Sequence, residues 1–411
     1  MLSDFSKTFG EIIKSDGGKI IFVVLDGLGG IPYYGGKTEL EAAKTPNLDR
    51  LAKESAKGLH IPVEFGVTPG SGPSHLALFG YDPVKNIIKR GIMEALGIGI
   101  TPSTDEIVAR GNFAKCSEDD GKIKVLDRRA GRISTEINKN LCSILSEKIK
   151  MIEDVEVKFY PVKEHRVCVS LKGKGLSDEI GDTDPQKEGE YIRRPQILGE
   201  DTYEKRRTAD IVEKLTFKIF EVLRSNEYAQ CILLRGFSKS PDIESFEKRW
   251  KLKALAIATY PMYRGIAKIL GMDVAELDGE NIDSQIRALK NNFEKYDFFY
   301  FHFKKTDSRG EDGDFEGKVK AIEEFDSIIP EILSLNPEVL AITGDHSSPS
   351  ALAGHSFHPV PIMIWSKRAF KDGSGRFTER DCRYGSLGLI YAVHIMPLLL
   401  AHAGRLEKFG A

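Results

Sequence analysis

Hydrophobic residues recur along this chain in short continuous runs, and the first run, residues 19–25, reads Lys-Ile-Ile-Phe-Val-Val-Leu. Apolar and β-branched runs of this length are typical of strands that are buried on both faces of a parallel sheet. A polar residue at Thr45, followed by a proline and by leucines at Leu48 and Leu51, then predicts the start of a helix. The order of strand, loop and helix predicts a doubly wound α/β domain.

The pattern changes between residues 101 and 240. Short alternating segments, separated by charged turns, occur there at 107–113, 122–126 and 155–160. They indicate a separate α+β module. Beyond residue 240 the continuous runs resume, and they lie at 254–258, 296–303 and 339–343, with a helix predicted at 263–271.

The fold prediction follows from this return of the first pattern. We predict an α/β protein whose core is a doubly wound, mostly parallel sheet. The first part of this core spans residues 1–100 and its second part spans 241–411. A smaller α+β domain, residues 101–240, is inserted between them.

Composition narrows the classes of partner. The 411 residues exceed one ordinary core, which agrees with two domains. The 59 basic residues nearly cancel the 61 acidic ones, so the net charge favours neither nucleic acid nor an anionic membrane as a partner. Five scattered cysteines without a CxxC pair indicate neither a disulfide framework nor a thiolate zinc site, and they favour a reducing cytoplasm.

Neither end of the chain predicts a membrane segment. Residues 1–14 lack the basic and apolar regions of a signal peptide, and we expect an ordinary surface segment there. Residues 387–401 are apolar but contain His394 and Pro397, and they fall short of about 18 clean residues. We expect them to form a buried C-terminal helix.

Residues 68–75 form a loop rich in glycine and proline, with Ser71 near its apex and an apolar run behind it. This pattern places the Ser71 hydroxyl near a helix N-terminus, where free N–H groups favour an anion. Two interpretations stay open at this point. Ser71 is either a nucleophile that accepts phosphate or a plain N-cap.

Three aspartates follow apolar strands: Asp26, Asp307 and Asp345, the last with His346 beside it. Because the carboxyl ends of parallel strands share one edge of a sheet, we expect these side chains to converge there. Carboxylates so close together need a cation, and oxygen ligands with imidazoles suit manganese, magnesium or zinc, here as two ions. The alternative for Asp26 is an ordinary turn residue.

The remaining histidines and the arginines allow weaker inferences. His355 lies on a loop shortly after His346 and completes the ligand set, unless it is a solvent-exposed loop residue. We expect His358 to be exposed, and three histidines to be hydrogen-bonded core residues: His302, His394 and His402. Arginines recur at segment ends in the middle module, where they suit carboxylate or phosphate, although single surface arginines are common.

Several motifs together resemble a known family. They are Asp26-Gly27-Leu28-Gly29, Pro69-Gly70-Ser71 with His75, Gly80-Tyr81-Asp82-Pro83, residues 127–132 (Asp-Arg-Arg-Ala-Gly-Arg), residues 318–323 (Lys-Val-Lys-Ala-Ile-Glu), Gly344-Asp345-His346-Ser347, and His355-Ser356 before Pro359-Val360-Pro361. In this order, over nearly the whole chain, they resemble the archaeal-type cofactor-independent phosphoglycerate mutases. The resemblance implies an alkaline-phosphatase-like core with a two-metal site.

The resemblance also implies the metal ligands. One ion would be held by Asp26, Ser71, Asp345 and His346. The other would be held by Asp307, by His355 and by the residue four positions after Asp307. That residue is a histidine in the usual family pattern but is Glu311 here.

The exchange at Glu311 makes the second ion's site harder and more negative, which favours manganese or magnesium over zinc. The alternative is that Glu311 is only a solvated acid in the acidic run 311–314.

The reaction implied by the resemblance is the interconversion of 3-phosphoglycerate and 2-phosphoglycerate. Ser71 attacks the phosphoryl group, the glycerate reorients while the inserted domain holds its carboxylate, and the phosphate returns to the other hydroxyl. Neither bisphosphoglycerate nor a nucleotide is required. Asp127 is expected to transfer protons and Arg128 to bind substrate. Further substrate contacts are expected from Arg166, Arg235 and Lys253.

Two other classes stay open. A metal-dependent phosphomonoesterase, or a related phosphotransferase of the same superfamily, would use the same serine and metals; the arginine-bearing insert favours the mutase, because a broad phosphatase needs no carboxylate grip. A non-catalytic metal-binding protein is the second alternative, with Glu311 as a sign of a decayed site. The absence of a GxxxxGK[ST] loop disfavours a nucleotide-dependent kinase. The sequence assigns no oligomeric state.

Overall fold

A computed structural model describes residues 10–410. Most of the surface segment expected at residues 1–14 therefore lies outside the described residues. Among the described helices, none combines the length and apolar character that a bilayer crossing requires. Contacts group the described chain into two compact units, the first made of residues 10–87 and 243–410 and the second of residues 88–242.

The strands, in chain order, are β1 Ile20–Leu25, β2 Ser55–Ile61, β3 Glu106–Asp119, β4 Lys122–Asp127, β5 Met151–Ile152, β6 Val155–Pro161, β7 Arg166–Lys172, β8 Cys231–Ser238, β9 Ala254–Ile257, β10 Asp273–Val274, β11 Phe298–Phe303, β12 Val339–Thr343, β13 Val360–Ser366 and β14 Gly388–Tyr391.

The α-helices are α1 Glu39–Ala42, α2 Pro46–Lys53, α3 Ser71–Leu78, α4 Arg90–Gly97, α5 Thr135–Lys148, α6 Tyr203–Leu223, α7 Phe246–Trp250, α8 Pro261–Ile269, α9 Ile282–Asn292, α10 Lys305–Glu311, α11 Phe315–Ser327, α12 Ile329–Leu333, α13 Glu379–Cys382 and α14 Ile395–His402.

The first unit contains an eight-stranded sheet in the order β10-β9-β11-β1-β12-β13-β2-β14. Among its described strands, only β13 runs antiparallel to its neighbours, so the predicted mostly parallel α/β sheet is confirmed. Alternate residues of β1 point to opposite faces: Ile21 and Val23 enter a core that includes residues of α2, α9 and α11. On the other face, Phe22 packs near Phe298, and Phe79, directly after α3, packs edge-on against Tyr300. Helices therefore cover both faces of the sheet.

The second unit is built on an antiparallel sheet in the order β4-β3-β7-β6-β5, with β8 also paired to β3. Helices α5 and α6 supply buried leucines and isoleucines to its core. Helix α4 belongs to this unit and not to the first, because it packs on β3 and β8. A Cβ at Gly91 would lie 2.4 Å from the carbonyl oxygen of Val108. The second unit therefore begins at residue 88, before the boundary expected at residue 101.

The expected C-terminal helix at 387–401 is wrong in its first half. Residues Gly388–Tyr391 form β14, which pairs in parallel with the edge strand β2, and α14 begins only at Ile395. The free edge of β2 offers backbone partners to this stretch. Tertiary pairing of this kind overrides a helical pattern read from the sequence alone.

The expectation that the cysteines form no disulfide is wrong for one pair. Cys116 and Cys231 are bonded to each other, with their Cα atoms 6.2 Å apart on the neighbouring strands β3 and β8. They stand 115 residues apart in the sequence, so no local spacing could reveal the pairing. The other three cysteines are free and buried.

Candidate metal centre and arginine pocket

The carboxyl-terminal edge of the parallel sheet brings together the side chains expected there. Asp26 follows β1, Asp307 lies in the first turn of α10 after β11, and Asp345 and His346 follow β12. One group of possible ligand atoms comprises Asp26, Asp345 and His346, and a second comprises Asp307, His346 and His355, each within 4.8 Å of one another. His346 belongs to both groups, so the two groups form one continuous centre.

The donor atoms of this centre fit a divalent cation. Asp26 Oδ1 and Asp345 Oδ2 are buried, and within the described part of the chain neither accepts a hydrogen bond. They lie 3.4 Å and 3.3 Å, respectively, from His346 Nε2. Buried carboxylate oxygens without a partner are costly. A metal ion would satisfy both, and oxygens with an imidazole are a suitable donor set.

Burial and neighbouring charges set the protonation of these groups. Burial, with Asp26 close by, raises the pKa of Asp345 well above its usual range. Burial would also raise the pKa of Asp26, but the His302 imidazole, with Nε2 3.3 Å from Asp26 Oδ2, and the charge of Lys304 hold it well below that range. Burial lowers the pKa of His346 to about 4. His346 is therefore a neutral imidazole at pH 7, the form that binds metals.

Ser71 is the first residue of α3, and Gly70, not Ser71, occupies the N-cap position. The N-cap interpretation of Ser71 is therefore wrong, and its location at the helix N-terminus is confirmed. Its hydroxyl lies 3.2 Å from His346 Nε2. One turn later, His75 Nδ1 lies 2.8 Å from the Ser71 carbonyl oxygen and 3.3 Å from Asp345 Oδ2. The Ser71 hydroxyl thus stands beside the imidazole that both ligand groups share.

Glu311 ends α10, four residues after Asp307, so the two side chains share one face of the helix. Glu311 Oε1 lies 3.4 Å from His355 Nε2. The Nδ1 of His355 donates to the Pro69 carbonyl, which leaves Nε2 free to act as a ligand. About half of the Glu311 side chain is exposed. Partial burial and the charge of Asp307 raise the pKa of Glu311.

Four residues that the sequence analysis did not connect with the centre lie beside it. Lys304 Nζ lies 3.0 Å from Asp26 Oδ2 and 2.5 Å from Asp307 Oδ2. Burial lowers the pKa of Lys304, but these two negative charges outweigh burial and hold the pKa above its usual value. The other three residues are Tyr263, His302 and Ser348. The Tyr263 hydroxyl donates a hydrogen bond to Asp26 Oδ2, and His302 Nε2 lies 3.3 Å from the same oxygen. The Ser348 hydroxyl donates a hydrogen bond to Asp307 Oδ1. Lys304 could have been found, because it directly follows a strand of the parallel sheet. Tyr263 carries no such signal.

The weaker histidine predictions have mixed outcomes. His302 is buried as expected, although it adjoins Asp26. His402 is partly buried, with Nδ1 2.8 Å from Ser366 Oγ, whereas His394 is exposed and the core prediction for it is wrong. His394 ends a short 3₁₀ turn ahead of α14, and that turn replaces the helical face on which the prediction depended.

The second unit contains a cavity of about 350 Å³ lined almost entirely by polar side chains. The lining residues are Arg110, Asn112, Arg128, Arg129, Arg132, Glu164, His165, Arg166 and Arg235. Arg128 forms a two-bond ion pair with the buried Asp184, at 3.0 and 2.7 Å, and Arg235 contacts Asp182. Among the described residues, the guanidinium groups of Arg129, Arg132 and Arg166 have no carboxylate within 4 Å. The cavity is therefore suited to an anion.

The loops around this cavity have unusual backbone. Ala130, Arg132 and Glu164 adopt φ values of 49°, 55° and 53°, a region that is unfavourable for residues other than glycine. The carboxylate of Asp127 accepts the N–H groups of Arg129 and Gly131, at 2.8 and 2.7 Å, and holds the first of these loops. Asp127 itself is not part of the cavity wall.

Lys253 is not brought to either site. It directly precedes β9, so it stands at the amino-terminal edge of the sheet, whereas the aspartates follow the carboxyl ends of their strands. Its Nζ lies 4.9 Å from the centre of the Tyr296 ring. The expected substrate contact of Lys253 therefore has no support in the structure, because strand direction places it at the wrong edge.

Comparison with known proteins agrees with this geometry. The family model of the Metalloenzyme superfamily matches residues 18–402. A protein of Thermotoga sp. (strain RQ2), named probable 2,3-bisphosphoglycerate-independent phosphoglycerate mutase, is 56% identical over 401 residues, which is 98% of each chain. One of the same name from Aquifex aeolicus is 53% identical and covers 98% of this chain and 99% of its own.

Two solved structures extend the likeness to the fold. A protein of Pyrococcus horikoshii superposes with a TM-score of 0.80 at 29% identity, over 96% of this chain and all of that one. The cofactor-independent phosphoglycerate mutase from Thermoplasma acidophilum superposes with a TM-score of 0.74 at 28% identity, over 94% of this chain and all of that one. The chain therefore belongs to the Metalloenzyme superfamily and, within it, to the family of 2,3-bisphosphoglycerate-independent phosphoglycerate mutases.

Proposed function

We propose that the chain is an isomerase that interconverts 3-phosphoglycerate and 2-phosphoglycerate through a phosphoserine at Ser71. The observation that carries the proposal is the position of the Ser71 hydroxyl at the start of α3, 3.2 Å from the imidazole shared by two groups of metal-ligating side chains. The names of the 56% and 53% identical relatives supply the substrate. No bisphosphoglycerate or nucleotide takes part. A cytoplasmic location stays a prediction.

In the proposed reaction, Ser71 acts as the nucleophile. Its hydroxyl attacks the phosphorus, the bond to the glycerate oxygen breaks, and the phosphoryl group stays on Ser71 until the other hydroxyl of the glycerate takes it back. The free N–H groups at the start of α3 favour the phosphoryl oxygens. The Lys304 ammonium, beside Asp26 and Asp307, adds positive charge. Divalent ions, when bound, favour the serine alkoxide and neutralise charge on the phosphoryl oxygens.

The arginine pocket is the reason why we propose a mutase and not a phosphatase. During isomerisation the glycerate must stay bound while the phosphate is on Ser71, because a lost glycerate leaves a phosphoserine that water hydrolyses. Arg129, Arg132 and Arg166 have no carboxylate partner within the described chain, and their guanidinium groups suit the glycerate carboxylate. Arg128 and Arg235 line the same pocket. Proton transfer by Asp127 stays a prediction, since both its oxygens accept backbone N–H groups.

Manganese is the proposed ion, at both positions. The residues that would hold it offer oxygen from Asp26, Ser71 and Asp345 with nitrogen from His346, and oxygen from Asp307 and Glu311 with nitrogen from His355. Five oxygen-bearing side chains against two imidazoles make a harder site than zinc prefers.

We expect Arg166→Ala to raise the KM for 3-phosphoglycerate by about 10- to 100-fold, the scale of a lost charge-assisted hydrogen bond. It should also raise the ratio of free phosphate to 2-phosphoglycerate among the products, because a loosely held glycerate escapes. Arg206→Ala is the control, since Arg206 is exposed and pairs with Asp201 outside the pocket. Unchanged KM and product ratio in Arg166→Ala would remove the pocket from the proposed reaction.

We expect Glu311→Ala to lower activity by about 100-fold, because it removes one of three proposed ligands of its ion. Glu311→His should keep substantial turnover and shift the metal preference toward zinc. Activity measured against added Mn²⁺ and Zn²⁺ tests both variants. Asp312→Ala is the matched control, as the neighbouring acid in the same exposed run. If Glu311→Ala behaves like Asp312→Ala in rate and metal content, Glu311 is a solvated acid and not a ligand.

A further inference from the structure

We propose that Lys318 is a positioning residue that joins the two loops carrying the metal ligands and thereby sets the affinity of the centre for divalent ions. The inference rests on the proposed metal centre. Lys318 heads the stretch 318–323, one of the motifs that the reaction itself leaves without a role. It lies on α11, away from the reacting atoms.

The contacts of Lys318 lie entirely inside the first unit. Its side chain is fully buried. Its Nζ donates to the carbonyl oxygen of Gly29 at 3.1 Å and to that of Ser348 at 2.8 Å. These two carbonyls belong to different loops, the first following β1 and the second following β12. The Lys318 ammonium group therefore donates hydrogen bonds to both loops.

Both loops carry ligands close to these carbonyls. Gly29 is three residues after Asp26, and Ser348 is two residues after His346. The Ser348 N–H faces the carbonyl oxygens of Gly27 and Gly29, at 3.3 and 3.1 Å. Its hydroxyl lies 2.5 Å from Asp307 Oδ1 and 3.2 Å from His346 Nδ1. Lys318 therefore fixes the point where the loops of all three ligand-bearing strands meet.

Burying the Lys318 ammonium group carries a desolvation cost. Its nearest carboxylate oxygen, Glu39 Oε2, is 4.0 Å away. The other oxygen of Glu39 accepts the N–H and hydroxyl of Ser350, at 2.7 and 2.5 Å. An apolar side chain of equal length would avoid the desolvation cost of the charge. The ammonium instead forms hydrogen bonds to two loop carbonyls. Replacing a residue that orients metal ligands in this way typically changes metal affinity by about 10- to 100-fold.

The experiment compares metal-free wild type with three variants, titrated with Mn²⁺ alone and followed by calorimetry and by the shift in unfolding temperature. Lys318→Met removes the ammonium and keeps the length of the side chain. Lys318→Met combined with Glu39→Gln also removes the opposing charge. If Lys318→Met alone fails to fold because it leaves Glu39 as an unpaired buried carboxylate, the double variant avoids this problem. Lys320→Met is the control, because Lys320 is exposed on the same helix.

We expect Lys318→Met, alone and with Glu39→Gln, to bind Mn²⁺ about 10- to 100-fold more weakly than wild type, with KM for 3-phosphoglycerate at saturating Mn²⁺ changed by less than about threefold. Lys320→Met should match wild type. Wild-type Mn²⁺ affinity in either Lys318 variant would overturn the inference, and recovery in the double variant alone would mean that Lys318 only neutralises Glu39. A wild type that binds no Mn²⁺ would instead overturn the metal centre itself.

Discussion

Ser71→Ala is expected to abolish isomerisation, with kcat lowered by roughly 10⁴- to 10⁶-fold, the scale seen when a catalytic nucleophile is lost. The hydroxyl lies at the start of α3, 3.2 Å from His346 Nε2. It caps no helix, since Gly70 holds that position. Its removal should leave the fold intact. Circular dichroism and steady-state kinetics on the same preparation measure the two effects.

Ser74→Ala is the matched control for this variant. Ser74 lies on the same helix, fully buried, and its hydroxyl has no hydrogen-bond partner within the described residues. Its loss therefore removes no bond and should leave kcat nearly unchanged. Rapid acid quench followed by mass spectrometry should find phosphate on the peptide with Ser71 in wild type only. A dead Ser74→Ala with an active Ser71→Ala would show that the nucleophile is wrongly assigned.

Removal of divalent metal by chelation is expected to take activity to background, and Mn²⁺ should restore it better than Zn²⁺. Asp26, Asp307 and Asp345 converge with Lys304 as the cation beside them, and two of their buried oxygens have no hydrogen-bond partner among the described residues. Without bound ions the carboxylates repel one another, so the unfolding temperature should fall as well.

Metal analysis and activity after each ion is added back measure this effect. Five oxygen-bearing ligands against two imidazoles are the reason for the preference for Mn²⁺. Full turnover by protein that contains no divalent ion would contradict the two-metal site.

The parts of the fold that could be predicted are those set by local pattern. Continuous apolar runs predicted β1, β11 and β12 because both faces of these strands are buried, and parallel direction then placed Asp26, Asp307 and Asp345 at one edge. Glycine and proline around Ser71 predicted a helix start, because these residues break the chain before an apolar run.

The parts that could not be predicted depend on contacts between distant segments. Tyr263 reaches Asp26 from α8 across 237 residues of sequence, and Cys116 pairs with Cys231 only because β3 and β8 are neighbours. The apolar run at 387–401 also depends on a distant contact, because its first half forms a strand that pairs with the edge of β2. Lys253 is not brought to either site, because a residue before a strand and one after it lie at opposite edges of the sheet.

The fate of the phosphoryl group tests the central claim most directly. Wild-type protein loaded with Mn²⁺ is given 3-phosphoglycerate, and 2-phosphoglycerate and free phosphate are measured in the same sample over time. We predict that 2-phosphoglycerate accounts for nearly all the substrate consumed until equilibrium is reached, with little free phosphate. Release of free phosphate at the rate at which substrate disappears would contradict the account and identify a phosphatase.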